Sequence, residues 1–106
     1  MMKAGEKNMS VKNITTVFTT SKNQTISSGY EASFFETKEQ MYEDFANDMN
    51  LQFETYEGLI ETFTVIIRND DNTAETRTYI DESEEGINPF EIMDYVKEYL
   101  GIDSQE

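Results

Sequence analysis

The chain contains no cysteine and no histidine, and a single proline in 106 residues. Lack of cysteine excludes a disulfide framework, thiolate metal sites and a cysteine nucleophile. Lack of histidine removes the commonest general base and the commonest transition-metal ligand. No long apolar run is present, so neither a membrane span nor a secretory leader is expected, and the expected address is cytosolic. Basic residues are scarce: 8 Lys and Arg stand against 22 Asp and Glu, a formal charge of −14.

These gaps eliminate most chemistry. A serine nucleophile needs an adjacent base, and Lys12, Lys22, Lys38 and Lys97 are the only lysines in the part expected to fold, so a serine triad is not available. Among so many acids a glycosidase-like carboxylate pair arises by chance, and it therefore singles out no residues. Phosphate-cradling GxGxxG and GxxxxGK[ST] motifs are absent, and the negative charge repels nucleic acid and anionic lipid. Asp70, Asp71 and Asn72 offer oxygen ligands of the kind calcium takes, but without the central glycine and terminal glutamate of an EF-hand they read as a structural turn. No cofactor, metal or catalytic residue is expected.

What is present is one domain's worth of alternating structure. Residues 1–10 are polar and aperiodic and are expected to form a disordered extension. Val11 to Thr20 is β-branched and aromatic, a first strand. After a polar turn at Ser21 to Gln24, the alternation from Tyr30 to Phe35 marks a second strand, with Thr25 to Gly29 either extending it or remaining loop. Thr37 and Gln40 form a capping box ahead of a helix from about Lys38 to Asn50, whose apolar side carries Met41, Tyr42, Phe45, Ala46 and Met49. In Leu51 to Gly58, Phe53 and Tyr56 could continue the helix's apolar face or pack as a loop, and the stretch is read as a connection. Leu59 to Arg68, with the run Val65-Ile66-Ile67, reads as a central strand, and Ala74 to Ile80 as its antiparallel partner across the turn 69–73. Asn88 caps, Pro89 opens and Gly101 closes a second helix, after which residues 102–106 are expected to fray. Together these predict a single α+β domain over 11–101. It should hold an antiparallel sheet of about four strands with two helices packed on one face, in ββαββα order. No internal sequence repeat is visible.

The charge is unevenly distributed along the chain. Residues 1–30 hold Lys3, Lys7, Lys12 and Lys22 against Glu6, whereas the remaining 21 acids lie after residue 30 with only Lys38, Arg68, Arg77 and Lys97 to offset them. Glu39 and Glu43 recur at i, i+4 on one flank of the first helix, with Asp44 and Asp48 on the other flank. Glu91, Asp94 and Glu98 recur at i, i+3, i+7 on the polar side of the second. Asp70, Asp71 and Asn72 form an acidic turn, and Asp81, Glu82, Glu84 and Glu85 an acidic loop. Acids spaced about 6 Å apart on helices can imitate a nucleic-acid backbone and occupy the basic cleft of a DNA-binding protein. The competing reading is a solvated polar surface.

Val65-Ile66-Ile67-Arg68-Asn69-Asp70-Asp71-Asn72, followed by Tyr79-Ile80-Asp81-Glu82-Ser83-Glu84-Glu85 and a helix, resembles the strand, acidic turn, strand, Glu/Ser-rich loop and helix of small phage-encoded type II-A anti-CRISPR proteins, which inhibit Cas9 as DNA mimics. Glu43-Asp44-Phe45-Ala46-Asn47-Asp48-Met49 is similar to an acidic helix of that family, lying here before the hairpin rather than after it. The resemblance covers about a third of the chain. It implies that Asp70, Asp71 and Asn72 enter a nuclease cleft and that Glu82, Glu84 and Glu85 face the arginines that read the PAM. The family's turn carries a glycine where this chain has Asp71 or Asn72. The expected partner is thus the nucleic-acid-binding cleft of a protein, Cas9 with guide RNA foremost, with no direct contact to nucleic acid or membrane. An immunity protein or antitoxin plugging a nuclease toxin, and a structural or regulatory phage protein with a merely solvated surface, are the alternatives.

Ala4-Gly5-Glu6 is naturally encoded by purine-rich codons resembling a bacterial ribosome-binding site, which makes Met9 an expected start of translation. Mass spectrometry of the native protein should then find Met9 or Ser10 at the N-terminus. A terminus at Met1 or Met2 would exclude this.

Overall fold

The computed structural model describes residues 11–82 and 86–102. The expected N-terminal extension, residues 103–106 of the tail expected to fray, and Glu84 and Glu85 lie outside the described residues. The order is β1 (Val11–Thr20), β2 (Thr25–Glu31), a 3-10 turn (Ala32–Phe34), α1 (Lys38–Thr55), β3 (Ile60–Asn69), β4 (Ala74–Ile80) and α2 (Pro89–Leu100). The four strands form one antiparallel sheet in the order β2-β1-β3-β4, an α+β domain in the expected ββαββα arrangement.

Both hairpins close in the same way. Asn23 donates to the carbonyl of Thr20 and Asn72 to that of Asn69, at 3.0 Å each, and both asparagines adopt positive φ, 63° and 71°. This is a three-residue loop, a type I turn followed by a left-handed residue, in which asparagine replaces the more usual glycine. The palindromic strand order and antiparallel central pair then relate the two ββα halves by a pseudo-twofold axis between β1 and β3. The repetition lies in backbone geometry, which is why no sequence repeat announces it.

Two element boundaries differ from expectation. The second strand is Thr25–Glu31, not Tyr30–Phe35, because the short loop starts pairing with β1 at Thr19↔Thr25 and pairing runs out at Asn13↔Glu31. Beyond it the chain must turn toward α1, so Ala32–Phe34 tightens into 3-10 geometry and leaves Phe34 80% exposed. Helix α1 runs on to Thr55 instead of ending near Asn50, since nothing between Asn50 and Gly58 breaks it and Phe53 gains a core partner in Phe63, with ring centroids 5.5 Å apart. Gly58, at φ 76°, follows the helix.

The two helices cover one face of the sheet. Met41, Phe45 and Met49 of α1 and Ile92, Val96 and Leu100 of α2 are buried in a single cluster with Ile14, Phe18, Phe63, Val65 and Ile67 of the central strands. Both helix starts, and the stop of α2, follow the sequence signals. Gln40 donates its amide to Thr37 Oγ1, Phe90 donates to Asn88 Oδ1, and Gly101 (φ 74°) ends α2 while Ile102 donates to the Lys97 carbonyl and packs against the core. That is the paired-bond C-terminal motif with its apolar contact.

Among the described residues no helix lies over the opposite sheet face. Its central rung runs Ser27, Val17, Thr64, Thr78 across the four strands. The rungs on either side are Gly29, Thr15, Ile66, Thr76 and Thr25, Thr19, Thr62, Ile80. None of these twelve side chains is charged.

Phe18 has no solvent exposure, stacks on Phe63 at 5.5 Å and meets Tyr56 edge-on at 5.4 Å. Phe18→Ala should lower the unfolding free energy by about 3–5 kcal/mol in denaturant titration, whereas Phe34→Ala should change it by under about 0.5 kcal/mol.

Candidate functional site: an acidic helical face

The direction of each element fixes where the acids go. β3 and β4 run between the 69–73 turn at one end of the sheet and residues 81–82 at the other, so the acidic turn and acidic loop stand at opposite ends of the hairpin. Seven β4 residues at about 3.3 Å each separate them by roughly 23 Å. Helix α2 spans this gap, its first turn beside the loop and its last beside the turn. Tyr95 donates to Glu75 Oε2 at 3.0 Å, and Asn69 Nδ2 donates to the Tyr99 hydroxyl at 3.0 Å.

Tyr95 thus faces β4 and Tyr99 the end of β3, Lys97 lies toward α1 with its Nζ 5.7 Å from the Tyr42 ring, and Ile92 and Val96 face the core. Glu91, Asp94 and Glu98 are left on the outward side, exposed, and spaced about 5–6 Å apart. The series Glu82, Glu91, Asp94, Glu98 and Asp70 traces one acidic column from the loop to the turn. Glu39 and Glu43 are exposed on the same helical layer, so both predicted helical stripes face away from the sheet.

The turn residues have different duties. Asp71 accepts from the amide of Thr73 at 3.0 Å and from its hydroxyl at 2.6 Å. The hydroxyl bond, then the amide bond, hold its carboxyl below the ordinary aspartate range. Its carboxylate is therefore ionised but committed to the turn. Asn72 supplies the left-handed residue of the turn. Asp70 is exposed.

Sequence reasoning missed Glu54 and Glu57. They line a depression of about 460 Å3 with Phe53, Tyr56 and Asp81, where the end of α1 meets the β4–α2 connection. Reading Leu51 to Gly58 as a connection hid them. Continuing the helical period by one turn would have placed Glu54 on the same outward side as Glu43, about three turns further along.

Asp48 is not part of the outward face. The Tyr30 hydroxyl donates to its Oδ2 at 2.7 Å, fastening α1 to the edge strand β2. Burial, then this bond and the charges of Asp48 and Asp44, push the Tyr30 hydroxyl far above its ordinary pKa. Burial followed by Glu75 does the same for Tyr95, and burial followed by Asp94 raises Tyr42. Among the described residues, no group of three or more acids is arranged to hold a metal ion, and no helix is long and apolar enough to cross a membrane.

The raised tyrosines set a pH dependence. The unfolded chain releases a tyrosine proton near pH 10, while folded Tyr30 and Tyr95 retain theirs. Their contribution is therefore complete below about pH 10 and is lost as pH rises beyond it. Thermal unfolding between pH 9 and 11 should show Tm falling, and Tyr30→Phe should flatten that fall while lowering stability at pH 7 by about 1–3 kcal/mol. An unchanged alkaline slope in the variant would contradict the assignment.

Comparison of the chain with family models, with curated proteins and with solved structures returned no match.

Proposed function

We propose that the protein is a non-enzymatic, cytoplasmic inhibitor of a nucleic-acid-binding protein, acting as a polyanion that competes for a basic cleft. The target to test first is Cas9 loaded with guide RNA, in keeping with the resemblance of the hairpin and loop to phage-encoded anti-CRISPR proteins. The observation that carries the reading is the convergence of acids from separate elements on one helical layer. Glu39, Glu43, Glu91, Asp94 and Glu98 face outward from it, and Asp70 and Glu82 mark its two ends.

A solvated surface needs no such convergence. The column of about 23 Å along α2 matches roughly seven base-pair steps at 3.4 Å, and its middle three carboxylates sit on a helix fixed to a packed core. Carboxylates held on rigid elements lose little freedom on binding, which favours replacing phosphates in a cleft shaped for a stiff duplex. Opposite charge also accelerates the encounter, so the inhibitor would reach the cleft ahead of scarce target DNA.

Purified protein should block target-DNA binding by guide-loaded Cas9, and the block should weaken steeply between about 50 and 500 mM salt as the Debye length shrinks. Charge reversal of Asp94 and Glu98 to lysine should weaken inhibition at least tenfold, against a smaller effect from Asp71→Asn, whose carboxylate serves the turn. Failure to bind Cas9 or any other basic nucleic-acid-binding protein at low salt would overturn the proposal. Tight binding to one nuclease toxin, with Cas9 unaffected, would reassign the same face to immunity.

A further inference from the structure

The uncharged sheet face is unusual in a chain of charge −14. An uncovered sheet face normally alternates into charged residues, yet three full rungs here carry only Thr, Ser, Gly, Val and Ile. The fourth rung, Glu31, Asn13, Arg68, Ala74, holds one acid and one base. Glu61 stands at the other end, at the irregularity where Thr20 pairs with Ile60.

The hydroxyls on this face are partly satisfied by one another. Thr19 and Thr62 Oγ1 lie 2.7 Å apart and Thr64 and Thr78 Oγ1 3.1 Å apart, each pair within one rung. Hydroxyls already hydrogen-bonded across strands lose little when water leaves, so the face can be dried at low cost. Val17, Ile66 and Ile80, the last 57% exposed, supply apolar area among them.

We infer that this face is the contact between two copies of the chain, packed sheet to sheet with the acidic helical layers outermost. The occupant is fixed by charge. Two copies repel strongly when any acidic face turns inward, and the open sheet face is where they meet without juxtaposing like charges. Its one charged rung is balanced by Arg68 against Glu31. The patch spans four strands at about 4.8 Å and four rungs at about 6.6 Å, roughly 500 Å2 per copy, so a dimer buries roughly 1,000 Å2. That lies below the standard range for stable complexes and sets a weak, concentration-dependent dimer.

Sedimentation equilibrium tests this independently of any target. The mass should rise from 12.3 kDa toward twice that value as protein concentration passes the order of 100 µM. Raising salt from about 20 to 500 mM should strengthen association, because screening relieves the mutual repulsion. That is opposite in sign to the salt response of cleft binding, so failure of one reading is distinguishable from failure of the other. Thr64→Glu, and separately Val17→Lys in case either perturbs folding, should keep the protein monomeric with an unchanged thermal transition, while Asp94→Lys should leave dimerisation intact or strengthen it. A monomer at every concentration and salt, or a dimer indifferent to both sheet substitutions, would overturn the inference.

Discussion

Everything in this domain depends on the pairing of β1 with β3. Each of these strands is flanked by another, and together they place Phe18 opposite Phe63 and Ile14 opposite Ile67 on the face the helices cover. A two-stranded hairpin alone is marginal in water, so neither β1–β2 nor β3–β4 could hold a helix without the other. Once the central pair forms, four strands present a continuous apolar surface. The amphipathic helices then have a fixed place to bury Met41, Phe45 and Met49 on one side and Ile92, Val96 and Leu100 on the other. Their outward stripes are acidic because their inward stripes are committed.

The arrangement separates two kinds of surface that are mixed on most small proteins. Glu91, Asp94 and Glu98 reinforce one another's field across the helical layer, which opposes compactness and makes the folded state sensitive to ionic strength. The core must offset that repulsion, and the tyrosines at its margin contribute. Tyr30 ties α1 to β2 through Asp48, while Tyr95 bonds Glu75 and receives the Arg77 guanidinium 4.3 Å from its ring centre. These contacts also occupy two acids that would otherwise add to the outward charge.

Much of the fold was legible because local signals agreed with tertiary context. The β-branched run Val11–Thr20, the Asn88-Pro89 start and the Gly101 stop needed no long-range information. The errors arose where a neighbour decided. Tyr30 to Phe35 alternates convincingly, but a strand is defined by its partner, and β1 had already paired with Thr25–Glu31. Phe53 suited a continued helix or a loop equally until Phe63 supplied a surface for it. Helical spacing alone gave the outward position of Glu91, Asp94 and Glu98. That the acidic turn and the acidic loop lie at opposite ends of one hairpin follows from strand direction, which the sequence order already contained.

The twin turns carry a further consequence, in the time domain. With the same three-residue geometry and a left-handed asparagine in each, both hairpins can close locally within about 1–10 µs. Joining Phe18 to Phe63 instead requires bringing together residues separated by α1, a much costlier loop to close. Loop closure thus favours the two hairpins and makes the docking of β1 on β3 the costlier step. A chain built this way is exposed as two unpaired half-sheets until that single event occurs.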